Sequence, residues 1–151
     1  MVAKSGKNLV PKFFGATANT YDKVAKGATL GKDEFWKKEI LKQISSGDSF
    51  LDLACGTGVV TKRIIDKVSS SGFVLGADTS TIAINIAKKW NGKRNNLEFV
   101  NADAENFSFS KKFDRITCQY ALFFFPNARK ALRNMRSCLK KSGKIGISVH
   151  G

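Results

Sequence analysis

The stretch from Asp48 to Val60, DSFLDLACGTGVV, limits the fold of this 151-residue chain more than any other. Phe50-Leu51-Asp52-Leu53-Ala54 reads as a buried strand, Cys55-Gly56-Thr57-Gly58 breaks it with a glycine turn, and a helical pattern starts at Val59. A strand that feeds a glycine turn and then a helix is how α/β folds build a ligand site at the carboxyl end of a parallel sheet. The glycines let backbone approach a ligand where a side chain would block it, and the new helix start offers unpaired N–H groups. The spacing narrows the ligand further. A dinucleotide fingerprint is G-x-G-x-x-G; here the three slots hold Gly56, Gly58 and Thr61, so the third glycine is absent. Asp52, four positions before the first glycine, puts an acid at the strand end, which suits a cation.

The rest of the chain repeats the strand-and-helix alternation. An amphipathic helix spans Asp33 to Ser45, with Phe35, Trp36, Ile40, Leu41 and Ile44 near helical spacing. The spacing predicts further helices over Val59–Val68, Ile82–Trp90 and Asn127–Leu139, the last stopped by Ser142-Gly143. Strands are predicted at Phe73–Ala77, Leu97–Asn101, Phe113–Gln119 and Lys144–Val149. Five strands alternating with helices predict an α/β, Rossmann-like three-layer sandwich with a mainly parallel sheet, truncated after the fifth strand. Residues 1–31 read as an N-terminal basic segment that covers the ligand, and residues 32–151 as the binding domain.

Strand ends carry the chemistry. The first gives Asp52 and the glycine turn, the second Asp78, the third Asp103 after Asn101, and the fourth Gln119 and Tyr120. A single aspartate after a strand is usually a turn residue or helix cap. Three acids at three successive strand ends, beside one glycine turn, point to one ligand. Asp78 is placed to accept from ribose hydroxyls, as in nucleotide folds generally, and Asp103 from an amino group of a base.

LDLACGTG, LGADTS, VNADAENFSF, FDRITCQYALFFF and ALRNMRSCLKKSGKIGISV together make residues 50–149 resemble the class I S-adenosylmethionine-dependent methyltransferases. The resemblance implies that S-adenosylmethionine is the cofactor, with Ala54, Gly56 and Gly58 under its methionine part, Asp52 near the ammonium, Asp78 on the ribose, Thr79 along the adenosine, Asp103 with Ala104 at the adenine, and Gln119 facing the methionine end. Upstream, Tyr21-Asp22 and a basic helix with Phe35-Trp36 look like the methyltransferases of ubiquinone and menaquinone biosynthesis; in that group an aromatic before the first helix covers the cofactor, and Tyr21 takes that place. Phe123-Phe124-Phe125-Pro126 either lines an apolar substrate pocket or packs beneath the last helix, the second being preferred. The expected activity is methyl transfer to a small, apolar acceptor. No catalytic residue is assigned: His150, the one histidine, is a base candidate only by its place at the fifth strand's end. The family continues past the fifth strand, so the expectation is a complete cofactor half, an incomplete acceptor half, and a fifth strand left as an edge open to pairing with a second copy.

Composition bounds the alternatives. Lys and Arg number 26 against 12 Asp and Glu, a net +14, which suits an anionic partner. The basic residues are scattered in pairs without a nucleic-acid motif, so an RNA or other anionic-polymer methyltransferase is the alternative rather than the main reading. A non-catalytic cofactor-binding domain is the third. Cys55, Cys118 and Cys138 are odd in number and far apart, indicating neither metal nor disulfide framework. Cys118 lies in an apolar strand, where a nucleophilic thiolate is not expected. With no signal-like or membrane-length apolar run, the expected location is the cytoplasm.

Overall fold

The computed structural model describes Thr20 and residues 32–149. Tyr21, His150 and the expected covering segment, Thr20 aside, lie outside the described residues. Ten elements follow in chain order: α1 (Lys32–Lys42), β1 (Ser49–Leu53), α2 (Val59–Lys67), β2 (Phe73–Asp78), α3 (Thr81–Asn91), β3 (Leu97–Asn101), β4 (Phe113–Gln119), a 3-10 turn (Leu122–Phe124), α4 (Ala128–Cys138) and β5 (Leu139–Ser148). The strands form one parallel sheet in the order β3-β2-β1-β4-β5. The order reverses between β1 and β4, the switch point where open α/β sheets bind their ligands.

Alternation along β1 sorts the two layers. Leu51 and Leu53 face α4, in a core with Ile116, Cys118, Ala131 and Met135. Phe50 faces the opposite layer, packing with Ile64 and Ile65 of α2 and Ile84 and Ala87 of α3. The β3–β4 connection contains no helix. Phe107 and Phe109 fill its place, their rings stacked 5.0 Å apart, with Phe109 edge-on to Phe113 at 6.2 Å.

The last strand starts earlier than its sequence pattern indicates. Asn127 caps α4 by accepting from the Lys130 N–H, and the helix stops at Cys138. Leu139 is already extended and pairs with Phe113, after which an irregularity brings Arg115 opposite Lys144. Ser142 and Gly143 therefore sit inside this bulged stretch and do not end the helix. A Cβ on Gly143 would lie 2.7 Å from Leu139 Cγ, so the bulge requires a residue without a side chain. Among the described residues β5 pairs with β4 alone.

Ile64, fully buried, and Ile82, 56% exposed, give a direct check on the layer assignment. Ile64→Ala is expected to cost about 2–5 kcal/mol of unfolding free energy in urea titration, and Ile82→Ala less than about 0.5 kcal/mol.

Candidate functional site

The carboxyl end of β1 is bent into the turn by a left-handed residue, Ala54 at φ 59°. The Cys55 N–H then bonds to the Ala77 carbonyl (3.1 Å), tying the turn to β2. Two glycines with positive φ follow, and they do different work. A Cβ on Gly58 would lie 2.9 Å from Asn91 Nδ2 and 3.1 Å from both Ala87 Cβ and Phe99 Cε1. Gly58 is thus required for the close approach of the turn to α3. A Cβ on Gly56 would meet nothing within 4 Å, so the space above Gly56 is open.

Asp78 stands beside that space. Its Oδ2 accepts the Gly56 N–H (2.9 Å) and its Oδ1 the Ser80 N–H (2.8 Å). Ser80 in turn caps α3, its hydroxyl accepting from the Ala83 N–H. Asn101 donates its amide to the carbonyls of Asp78 (3.0 Å) and Thr79 (2.8 Å), fixing the end of β2 to the end of β3. Burial raises the Asp78 carboxyl above its ordinary range, against the pull of the N–H groups it accepts from.

Asp52 is placed differently from Asp78. Only 2% of it is exposed, and its Oδ2 accepts the Thr61 hydroxyl at 2.6 Å. The Thr61 backbone N–H, one of the donors the first turn of α2 leaves unpaired, bonds to the same carboxyl. Asp52 is therefore the external cap of a helix whose own cap residue, Gly58, has no side chain to offer. Burial, with a smaller push from Asp78, raises its pKa to about 7 against the Thr61 hydroxyl. Thr61 fills the third-glycine slot noted in the sequence. That slot was legible; its bond to Asp52 was not, because it joins residues nine apart across the turn.

At the third strand end, Asp103 organises its own turn: Oδ1 accepts the Glu105 N–H (2.9 Å) and Oδ2 the Asn106 amide (2.7 Å). Ala104 is buried in the α4-side core. Glu105, which sequence reasoning passed over, is also buried and accepts the Asn127 N–H (3.0 Å), joining this loop to the start of α4. At the fourth strand end, both amide atoms of Gln119 are buried without a hydrogen-bond partner. Tyr120 turns the chain at φ 51° while its N–H bonds to the Ser148 carbonyl (2.9 Å). The phenylalanine run divides: Phe125 packs on the core, whereas Phe123 and Phe124 are exposed with their rings 4.4 Å apart.

Ala54, Gly56, Asp78 and Thr79 thus gather at the adjoining ends of β1 and β2, with Asp103 and Ala104 just past β3 and Gln119 at β4. Cys55 and Cys118 are held as neutral thiols. Burial pushes Cys118 up to about 12 and Cys55 well above its ordinary value, with Asp52 and Asp78 adding to both. Among the described residues there is no acid, histidine and cysteine cluster able to hold a metal, and no helix long and apolar enough to cross a membrane. A separate cleft of about 220 Å³ lies under α1, between Ile40, Gln43, Arg115 and Lys144, away from the glycine turn.

The profile of the ubiE/COQ5 methyltransferase family matches residues 1–148. This chain belongs to that family. It is 30% identical to a demethylmenaquinone methyltransferase of Lactobacillus johnsonii, over 97% of this chain and 65% of the relative. It is 33% identical to a ubiquinone/menaquinone biosynthesis C-methyltransferase of Coxiella burnetii, over 91% of this chain and 58% of the relative. The chain thus spans about three-fifths of the length of these family members. Its fold is that of DhpI in complex with SAH (TM-score 0.74, 21% identity, 91% of this chain and 65% of that one). It is also similar to the YcgJ protein of Bacillus subtilis (TM-score 0.70, 25% identity, 78% and 51%).

Two outcomes follow from the Asp52–Thr61 pair. Thr61→Val removes the hydroxyl from a buried carboxyl and is expected to cost about 1–3 kcal/mol in urea titration, while Thr61→Ser restores most of it. The folded state also takes up a proton on Asp52 at a higher pH than the unfolded state, since the pKa rises from 3.8 to about 7. Unfolding free energy should therefore fall as pH rises through that window. Asp52→Asn should flatten that slope.

Proposed function

We propose that this chain binds S-adenosylmethionine across the carboxyl ends of β1 to β3 and carries the methyl-transfer centre of an enzyme acting on a small, aromatic, quinone-type acceptor. The observation that carries the reading is the open space over Gly56 with the Asp78 carboxylate at its side. A backbone without side chain admits the flat cofactor, and the Asp78 carboxylate, already oriented by the N–H groups of Gly56, Thr79 and Ser80, stands beside it to accept from a ribose hydroxyl. Ala54 and Gly56 would lie along the methionine part, Thr79 along the adenosine, and the Asp103–Ala104 segment at the adenine. Asp52 supports this from beneath: it holds α2 and the turn in place, and its negative potential favours the cofactor's ammonium and sulfonium. The relatives' names support a quinone-type acceptor. So does the apolar pair Phe123 and Phe124, exposed just past the end of β4.

When bound, the cofactor supplies a methyl group already activated by its sulfonium. The protein's remaining work is alignment and exclusion of water. The rigid turn, pinned to β2 through Cys55 and Gly56, provides the alignment. Apolar residues after β4 supply the dry side of the site.

Calorimetric titration with S-adenosylmethionine, with S-adenosylhomocysteine, and with NAD as control tests the reading. Micromolar binding of the first two and none of NAD is expected. Asp78→Asn should weaken binding about 10-fold and Asp78→Ala about 100-fold, as one or two hydrogen bonds to a charged group are lost, with circular dichroism confirming the fold of each. Equal affinity in wild type and both variants would contradict it.

A further inference from the structure

Among the described residues, the side-chain atoms buried without a hydrogen-bond partner are Asn91 Oδ1, Thr117 Oγ1, Gln119 Oε1 and Nε2, and Ser148 Oγ. All but the first fall on two adjoining strands. Gln119 is opposite Ser148 in the β4–β5 register, and Thr117 is opposite Asp52 in the β1–β4 register. Paired residues of parallel strands project from the same face, as do residues two apart on one strand. Thr117, Gln119 and Ser148 therefore form a strip on the Asp52 side of the sheet, running to the carboxyl ends of β4 and β5. Buried polar atoms are nearly always paired, and one left alone costs about 1–3 kcal/mol. Four on one strip call for a polar group that arrives from outside.

Two features say which group. The strip is neutral: an amide and two hydroxyls, each able to donate and accept. A carboxylate or an ammonium would be met by an opposite charge, whereas a hydroxyl or carbonyl oxygen is matched by this set. The strip also lies away from the adenosine end. Across the sheet the order runs from Asp103 past β3, through Asp78 on β2 and the glycine turn after β1, to Gln119 on β4 and Ser148 on β5. Ser148 is two strands beyond the turn, about 10 Å at the usual strand spacing, on the side opposite Asp78. Tyr120 holds this end in shape, its left-handed backbone donating to the Ser148 carbonyl.

We infer that Gln119 and Ser148 bind a ring hydroxyl or carbonyl oxygen of the methyl acceptor, and so choose oxygen-bearing aromatic rings over plain hydrocarbon ones. This rests on the methyltransferase reading and extends it to the acceptor side of the same site. The cofactor's own carboxylate is the other source of oxygen that could reach Gln119, and the test separates the two.

Binding of 1,4-naphthalenediol and of naphthalene to the full chain is measured anaerobically by calorimetry, with and without saturating S-adenosylhomocysteine. S-adenosylhomocysteine affinity is measured separately, so a failure of the cofactor reading shows there and not in the ring comparison. The diol should bind at least about 10-fold tighter than naphthalene. Ser148→Ala and Gln119→Leu should each erase about 5- to 10-fold of that preference, the worth of one hydrogen bond, while Ser148→Ala leaves S-adenosylhomocysteine affinity within about two-fold. Equal binding of the two rings, no binding of either, or an unchanged preference in Ser148→Ala overturns the assignment. A loss of S-adenosylhomocysteine affinity in Ser148→Ala that matches its loss for the diol also overturns it, and gives the strip to the cofactor. Two variants on different strands guard against a folding defect in either.

Discussion

The hydrogen bond from the Gly56 N–H to Asp78 Oδ2 joins the two halves of the site. The backbone of the turn is already tied to β2 by the Cys55 N–H on the Ala77 carbonyl; the Gly56 bond adds the Asp78 side chain to that tie and fixes where its carboxylate stands. With it, a left-handed glycine that no side chain fills is set at a fixed distance from a carboxylate. That bond depends on a chain of others. Asp78 is oriented by the Ser80 N–H, Ser80 caps α3, and Asn101 clamps the carbonyls of Asp78 and Thr79 from the next strand. Three strand ends are thereby held in one arrangement before any ligand arrives, which is the condition for binding without an ordering cost.

Beneath this frame the protein accepts a less favourable arrangement. Asp52 is buried close to the half-buried Asp78, whose charge adds to burial in raising the pKa of Asp52 to about 7. Replacing Asp52 with an apolar residue would relieve this but would leave the Thr61 hydroxyl and N–H, and with them the start of α2, without an acceptor. Stability near neutral pH is thus given up to hold the start of α2 and the turn in place.

Much of this was legible in the sequence because it is local. The strand–turn–helix stretch is contiguous, and two glycines at fixed offsets after an apolar run mark a tight turn whatever packs around it. Asp78 and Asp103 could be placed at strand ends because the apolar runs before them are short and well bounded. What could not be read is what depends on pairs distant in the chain. The two glycines looked alike, yet Gly58 is set by contact with Ala87, Asn91 and Phe99 and Gly56 by open space. Asp52 is legible as an acid at a strand end, but its bond from Thr61, which makes it a helix cap as well, is not. Ser142-Gly143 reads as a helix stop by local rules, whereas Leu139 had already entered the sheet through its pairing with Phe113. Ser148 carried no signal of its own, because its place becomes visible only when β5 is laid against β4.

The most direct test of the central claim is residue-level. Backbone amide shifts of the ¹⁵N-labelled chain, followed on titration with S-adenosylhomocysteine, report where the ligand sits without reference to turnover. The largest changes are expected at Gly56, Asp78, Thr79 and Ala104, with smaller ones at Gln119. Little change is expected at Gln43, Arg115 and Lys144 around the cleft under α1. Changes concentrated at those three residues, with Gly56 and Asp78 unmoved, would contradict this placement and put the ligand in the cleft under α1.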